Sequence, residues 1–216
     1  MARQPWDALV PHLLRAGSEP DHAIERLKGY MRALLEWNRT VSNLISGNDE
    51  QRFVERHLLE SLQPAYWLRE SGVPRWMDFG SGGGLPAIPL AVAGVGVEWT
   101  LVESRRMKTL FLRRVVDSLE LKHVSIVNDR LENVVTGGEH AGRFRGFTSR
   151  ATLTLAPTLD LAARLVDVDG DAFLWKGSGR EAEMTAGGPW TSAWRLEGLL
   201  GVGAGVNVVC RFKRKS

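Results

Sequence analysis

Apolar positions fall at helical spacing through the first third of the chain, then give way to short apolar runs separated by glycine and by further helical stretches. Trp6, Leu9, Val10, Leu13 and Leu14 fit one helix face, with Pro5 suited to a first turn. Ile24, Leu27, Met31, Leu34 and Leu35 repeat the pattern behind a capping candidate at Asp21. Phe53, His57, Leu58 and Leu62 predict a third helix, with Asp49 as its cap. These segments, residues 1–73, read as a helical cap packed on a larger core rather than as an independent domain.

From Pro74 to the end, residues 74–216, the pattern alternates. Strands are expected at Trp76–Phe79, Trp99–Val102, Val124–Val127, Gly146–Thr148, Ala172–Trp175 and Val206–Phe212. Helices are expected at Leu85–Ala93, Met107–Leu119 and Leu159–Val166. Pro86 is tolerated in a first turn, whereas Pro89 should disturb its helix. On Met107–Leu119, the residues Leu110, Phe111, Val115 and Leu119 are expected on one side. Strands and helices in this order imply βαβ units, and so an α/β fold with a mostly parallel sheet covered on both faces.

Composition changes this picture little. The chain has 216 residues and is 44% hydrophobic, as an ordinary globule is. No run approaches the roughly 20 apolar residues of a membrane span, and residues 1–17 are too interrupted by charge for a signal peptide. The single cysteine, Cys210, excludes an internal disulfide and any paired-cysteine metal site, and five scattered histidines assemble no metal cluster. A reducing, cytoplasmic setting is the expectation. The net charge is +3, but the positive charge is concentrated. Arg105, Arg106, Lys108, Arg113 and Arg114 form one cluster; Arg143, Arg145 and Arg150 form a second; Arg211, Lys213, Arg214 and Lys215 form a third. Each is either solvated surface or a contact for a phosphate-rich partner.

The candidate chemistry lies where the first α/β strand ends. Asp78 is followed by Gly80-Ser81-Gly82-Gly83-Gly84, and glycine lets the backbone turn sharply and a ligand come close to it. A GxG after a strand also suits nicotinamide or flavin proteins, but here Leu85-Pro86 replaces the third glycine of their pattern. Glu103 ends the second strand, where a carboxylate can accept from both ribose hydroxyls of a nucleoside or, alternatively, cap a helix. Asn128-Asp129-Arg130-Leu131-Glu132 follows the third strand, at the position that faces a bound adenine, and reads otherwise as a surface loop. Arg150 and Lys176 end later strands. Arg150 suits a ligand carboxylate or an RNA phosphate, and Lys176 a phosphate. His57 reads as a hydrogen-bonded cap or core residue rather than a catalyst.

The stretch Asp78-Phe-Gly-Ser-Gly-Gly-Gly-Leu-Pro-Ala-Ile-Pro89 resembles the cofactor loop of the bacterial small-subunit rRNA guanine-N7 methyltransferases, formerly called glucose-inhibited division protein B. Trp37-Asn38-Arg39, Asn43-Leu44 and Arg56-His57-Leu58-Leu59-Glu60-Ser61 match that family's cap. Leu101-Val102-Glu103-Ser104, Phe111-Leu112-Arg113, Arg130-Leu131-Glu132, Thr148-Ser149-Arg150-Ala151 and Lys176-Gly177 match its core in order. Ala87 departs from the family's usual glycine, Met107 stands where a lysine is common, and Val135–Arg145 is long.

The resemblance implies a Rossmann-like class I S-adenosylmethionine-dependent methyltransferase fold with an N-terminal helical cap. It implies transfer of a methyl group to N7 of a guanosine in the decoding-region loop of 16S rRNA. Cofactor residues would be Asp78, Gly80, Gly82, Gly84, Leu85, Glu103, Leu131, Glu132 and Arg150, and RNA contacts Arg105, Arg106, Lys108 and Lys176. The partner would be 16S rRNA or the 30S particle, with no membrane and no metal, and the chain a monomer. Guanine N7 carries a lone pair and no proton, so no general base is expected, only in-line placement. No nucleophile set is evident, and Cys210 reads as core. The alternatives are a methyltransferase acting on a protein or small molecule, and a non-catalytic RNA-binding module.

Overall fold

In the computed structural model, which describes residues 5–138, 140 and 142–216, a seven-stranded sheet has the order β3-β2-β1-β4-β5-β7-β6. A tight turn at Pro5–Ala8 leads into α1 (Val10–Arg15) and the long α2 (Pro20–Thr40). A single turn, α3 (Gly47–Glu50), precedes a wide π-helical stretch at Phe53–Leu58 that runs directly into α4 (Leu59–Leu62), followed by α5 (Ala65–Glu70). Then come β1 (Arg75–Phe79), α6 (Ala87–Val92), β2 (Glu98–Val102), α7 (Arg106–Ser118), β3 (Val124–Val127) and α8 (Leu131–Thr136). The chain continues through β4 (Phe144–Arg150), α9 (Leu155–Ala162), β5 (Val166–Lys176), α10 (Arg180–Ala186), α11 (Trp190–Ala193), β6 (Trp194–Gly201) and β7 (Val208–Arg214).

Strands β1 to β5 pair in parallel, and β7 is inserted antiparallel between β5 and β6. The chain winds outward from β1 to β3, then returns to place β4 on the other side of β1. This reversal is the topological switch point, where a crevice opens beyond the carboxyl ends of the strands.

Each face of the sheet carries its own core. Leu27, Tyr30 and Leu34 of α2 share one buried cluster with Trp76, Ile88, Trp99 and Phe111. Leu131, Leu159, Trp190 and Trp194 cover the opposite face with Met77, Phe147 and Phe212. Trp76 and Trp99, side by side on β1 and β2, stack at 5.5 Å between centroids.

Several expectations are corrected. The cap of α2 is Glu19, whose carboxylate accepts from the amides of Asp21 (3.1 Å) and His22 (2.7 Å). Pro20 already occupies the first helical position, so Asp21 lies inside the helix. Asp49 caps no third helix; its carboxylate accepts from Ser46 Oγ at 2.6 Å and pairs with Arg56 at 3.2 Å. Leu14 and Leu110 point outward, leaving Leu9 and Leu13, and Phe111, Leu112, Val115 and Val116, as the inner faces. Pro89 disturbs nothing because it occupies the third position of α6, where its missing N–H has no helical partner to lose. The helix expected at Leu159–Val166 begins at Leu155, and its expected end instead enters β5. Strands β4, β5 and β7 extend beyond their expected ends, and β6 was not anticipated. The Val135–Arg145 segment contains Glu139 and Ala141, which lie outside the described residues.

Candidate functional site

The chain leaves β1 through glycines that the geometry requires. Gly80, Gly82 and Gly84 have φ of 67°, 55° and 90°, values that L side chains rarely adopt. A Cβ on Gly80 would stand 2.4 Å from Thr152 Cγ2, and one on Gly84 2.5 Å from Ile88 Cγ1. Gly84 is therefore demanded by packing of the loop on α6. The loop is also held from above: Tyr30 of α2 donates its hydroxyl to Gly83 O at 2.6 Å, inside the protein. Beneath it, Asp78 is buried, accepts from Thr148 Oγ1 at 2.7 Å, and leaves its second oxygen without a partner. Burial raises its carboxyl to about 7, against the lowering effect of hydrogen bonds from Thr148 and Ser81.

Glu103 at the end of β2 is almost fully buried and faces the same loop. One carboxylate oxygen accepts from Gly82 N at 3.0 Å, the other from Arg105 N at 2.8 Å. Its remaining lone pairs line a cleft of about 210 Å³ with Phe79, Gly80, Asp129, Leu131 and Glu132. Asn128 does not reach this cleft. Its side-chain amide donates to the carbonyls of Glu103 and Ser104, bracing the end of β2.

A second cleft, about 240 Å³, opens on the other side of Gly80 between the cap and the sheet. Leu44, Ile45 and His57 of the cap face Gly82, Leu85, Lys108 and Arg150 across it. Asn38 shapes the cap wall by accepting at its side-chain oxygen from the amides of Leu44 (2.6 Å) and Ile45 (3.1 Å). Arg150, the last residue of β4, donates from Nη2 to Glu60 at 2.7 Å and toward His57 Nδ1 at 3.3 Å. Its Nη1 is buried with no hydrogen-bond partner. Burial, with the Arg150 charge beside it, lowers His57 to about 4, so the ring is neutral near pH 7 and accepts at Nδ1. Ala151, next in the chain, has φ of 55°, a strained conformation for alanine on the wall of the cleft.

The structure thus brings Gly80, Gly82, Leu85, Glu103, Leu131, Glu132 and Arg150 to two clefts that meet at Gly80. Asp78 and Gly84 support the loop from behind and do not line these clefts. Lys108, expected at RNA, faces the glycine loop instead. Arg105 and Arg106 are exposed beside it, as an RNA contact requires. Lys176 is engaged with Glu183 (2.8 Å) and Leu153 O (3.1 Å). Arg150 does not cluster with the exposed Arg143 and Arg145, which lie toward the far end of β4. Arg211 and Lys213 pair with the buried Asp171, and Arg214 binds the carbonyls of Ala163 and Ala193, so the C-terminal cluster is largely turned into the fold. Ala87 is buried in the first turn of α6, away from both clefts. Cys210 is core, with its thiol raised to about 11 by burial. Sequence reading passed over Tyr30, Asn38, Thr148 and Glu60, whose roles exist only once distant segments meet. Among the described residues no group of three or more His, Cys, Asp or Glu is placed to hold a metal ion.

A doubly wound sheet with one antiparallel strand near its edge, and a glycine loop at its switch point, defines the class I methyltransferase fold. The structure is similar in this sense to an O-methyltransferase from Bacillus cereus in complex with SAH, with a TM-score of 0.62 at 14% identity, over 87% of this chain and 91% of that one. A profile of the family described as rRNA small subunit methyltransferase G matches residues 23–191, and the chain belongs to that family. Its relatives include the ribosomal RNA small subunit methyltransferase G of Polynucleobacter asymbioticus, 36% identical over 73% of this chain and 71% of that protein. Another is the protein of the same name from Chromobacterium violaceum, 38% identical over 71% of this chain and 70% of its own.

Proposed function

We propose that this chain transfers a methyl group from S-adenosylmethionine to N7 of a guanosine in the decoding-region loop of 16S rRNA. The observation that carries this reading is the pair of clefts joined at Gly80. One is lined by a carboxylate with unused lone pairs, the other by a buried arginine with an unused donor. They suit the two ends of that cofactor. Glu103 accepts from the ribose hydroxyls, Leu131 and Glu132 border the adenine, and the close backbone approach at Gly80 and Gly82 leaves room for the chain between. Leu85 borders the amino-acid end, and Arg150 Nη1 donates to its carboxylate, a charge-assisted hydrogen bond that relieves an orphaned buried donor.

When bound, the cofactor presents a sulfonium methyl that is attacked by the N7 lone pair, with the C–S bond electrons leaving on sulfur. The protein needs no base for this, because N7 has no proton to lose. Its contribution is placement in line and exclusion of water. The neutral His57 and the Arg150–Glu60 pair add no net charge near the purine, which becomes cationic as the methyl arrives. Arg105 and Arg106 steer RNA phosphates from the rim. The chain acts as a cytoplasmic monomer on the 30S particle, whose folded RNA supplies sequence context that so small an enzyme does not.

Undermethylated 30S particles incubated with the protein and labelled cofactor should acquire N7-methylguanosine, read by mass spectrometry of the digested 16S rRNA. Calorimetry that detects binding of NADH but not of S-adenosylmethionine would overturn the reading.

A further inference from the structure

A third pocket, about 210 Å³, lies behind Arg150 and Ala151, and shares both residues with the cleft at the glycine loop. Its far side is made by Glu60 and Asn207, its floor includes Trp175, and Arg56 and Lys176 border it. Glu60 is only 5% exposed. Its carboxylate accepts from Arg150 Nη2 (2.7 Å) and Asn207 Nδ2 (3.1 Å), and its carbonyl accepts from Trp175 Nε1 (2.9 Å). The carboxylate is thus fixed in orientation from three strands and loops, with lone pairs still unused on each oxygen.

We infer that this pocket receives the target guanine and that Glu60 reads it; the inference rests on the methyl-transfer reading above. A carboxylate accepts from N1–H and the 2-amino group of guanine together. Adenine offers a bare N1 and no 2-amino group, so it leaves a buried anion unsatisfied. The geometry also suits the chemistry. The 2-amino edge lies across the purine from N7, so a base gripped at the far wall by Glu60 points N7 back toward Ala151 and the glycine loop, where the methyl must come from. Arg56, about half exposed at the rim, supplies positive charge for the phosphate of the same nucleotide.

The test is a single-atom change in the substrate. 30S particles are reconstituted with 16S rRNA ligated to carry either guanosine or inosine, which lacks only the 2-amino group, at the methylated position. The wild type should methylate inosine about tenfold more slowly, the worth of one charge-assisted hydrogen bond. In Glu60→Gln the guanosine rate should fall and the guanosine-to-inosine ratio should approach one. A ratio unchanged in Glu60→Gln would mean that Glu60 only holds Arg150, and would overturn the inference. Equal wild-type rates on the two particles would overturn it without any variant, should the substitution prevent folding. Absence of methylation of guanosine by the wild type, in contrast, would remove the underlying functional reading.

Discussion

On the β2 side of Gly80 the cleft is walled largely by groups close together in sequence: the loop after β1, the end of β2 and the start of α8. Its hydrogen bonds are made to backbone amides, Gly82 N and Arg105 N on Glu103, and they are satisfied before any ligand arrives. On the β4 side the wall joins Asn38, His57, Glu60, Arg150 and Asn207, with an arginine donor left unpaired in the interior. The first side is rigid and generic to nucleosides. The second is costly, held by side chains from four distant segments, and its geometry depends on the cap staying docked. A buried cation and anion retained at such a place are poor stabilisers by comparison with apolar packing. Their value lies in fixing two polar groups where a ligand needs them.

The contrast breaks most strongly at Glu60. Glu60→Ala leaves Arg150 charged, mostly buried and without its anion, and should destabilise the protein by about 3–5 kcal/mol. Chemical denaturation will measure this as a lowered midpoint with little change of slope. A loss below about 1 kcal/mol would show that the cap is not held through this pair. Glu103→Ala should behave in the opposite way. Its partners are amides at the edge of an open cleft, which water can satisfy, so stability should drop by no more than about 1 kcal/mol. Affinity for S-adenosylmethionine should fall about 10- to 100-fold by calorimetry, the worth of one or two hydrogen bonds to a charged group. Equal effects of the two variants on stability and affinity would erase the distinction between the walls.

The same division explains what could be read from the chain. The strand–glycine–helix order, Glu103 and Leu131-Glu132 were legible because each is a local pattern attached to a strand end. Arg150 was legible as a strand-terminal arginine, but not as the partner of Glu60, ninety positions earlier, because that contact depends on how the cap docks. The cap of α2 was misplaced by two residues since Pro20 and Asp21 both signal a start, and only the backbone decides which carboxylate reaches the amides. Strand β6 was missed because Gly198 and Gly201 interrupt it, and its register with β7 shifts between Leu196 and Gly198, erasing a clean alternation. Ala87 drew notice as a departure near the cofactor loop, yet it faces the core of α6.

The smallest expected effect is a pH dependence in which the two sides oppose one another. Asp78, under the loop, is raised by burial to about 7 from 3.8, so the folded state holds its proton more firmly than the unfolded chain does. Its contribution to stability is complete below about pH 4 and is lost as pH rises to about 7. His57, on the cap, is lowered to about 4 from 6.5, chiefly by burial, so the unfolded chain binds the proton more firmly. Its contribution is complete above about pH 6.5 and is lost as pH falls to about 4. Between pH 4 and 6.5 the slopes have opposite signs, and the wild type should show a nearly flat profile from this pair. Asp78→Asn should unmask His57, giving stability that rises with pH across that window; His57→Gln should unmask Asp78, giving stability that falls. Denaturant midpoints measured at half-unit steps of pH will separate them. If both variants keep the wild-type slope, neither group titrates as its burial requires, and the neutral state assigned to His57 beside Arg150 would have to be abandoned.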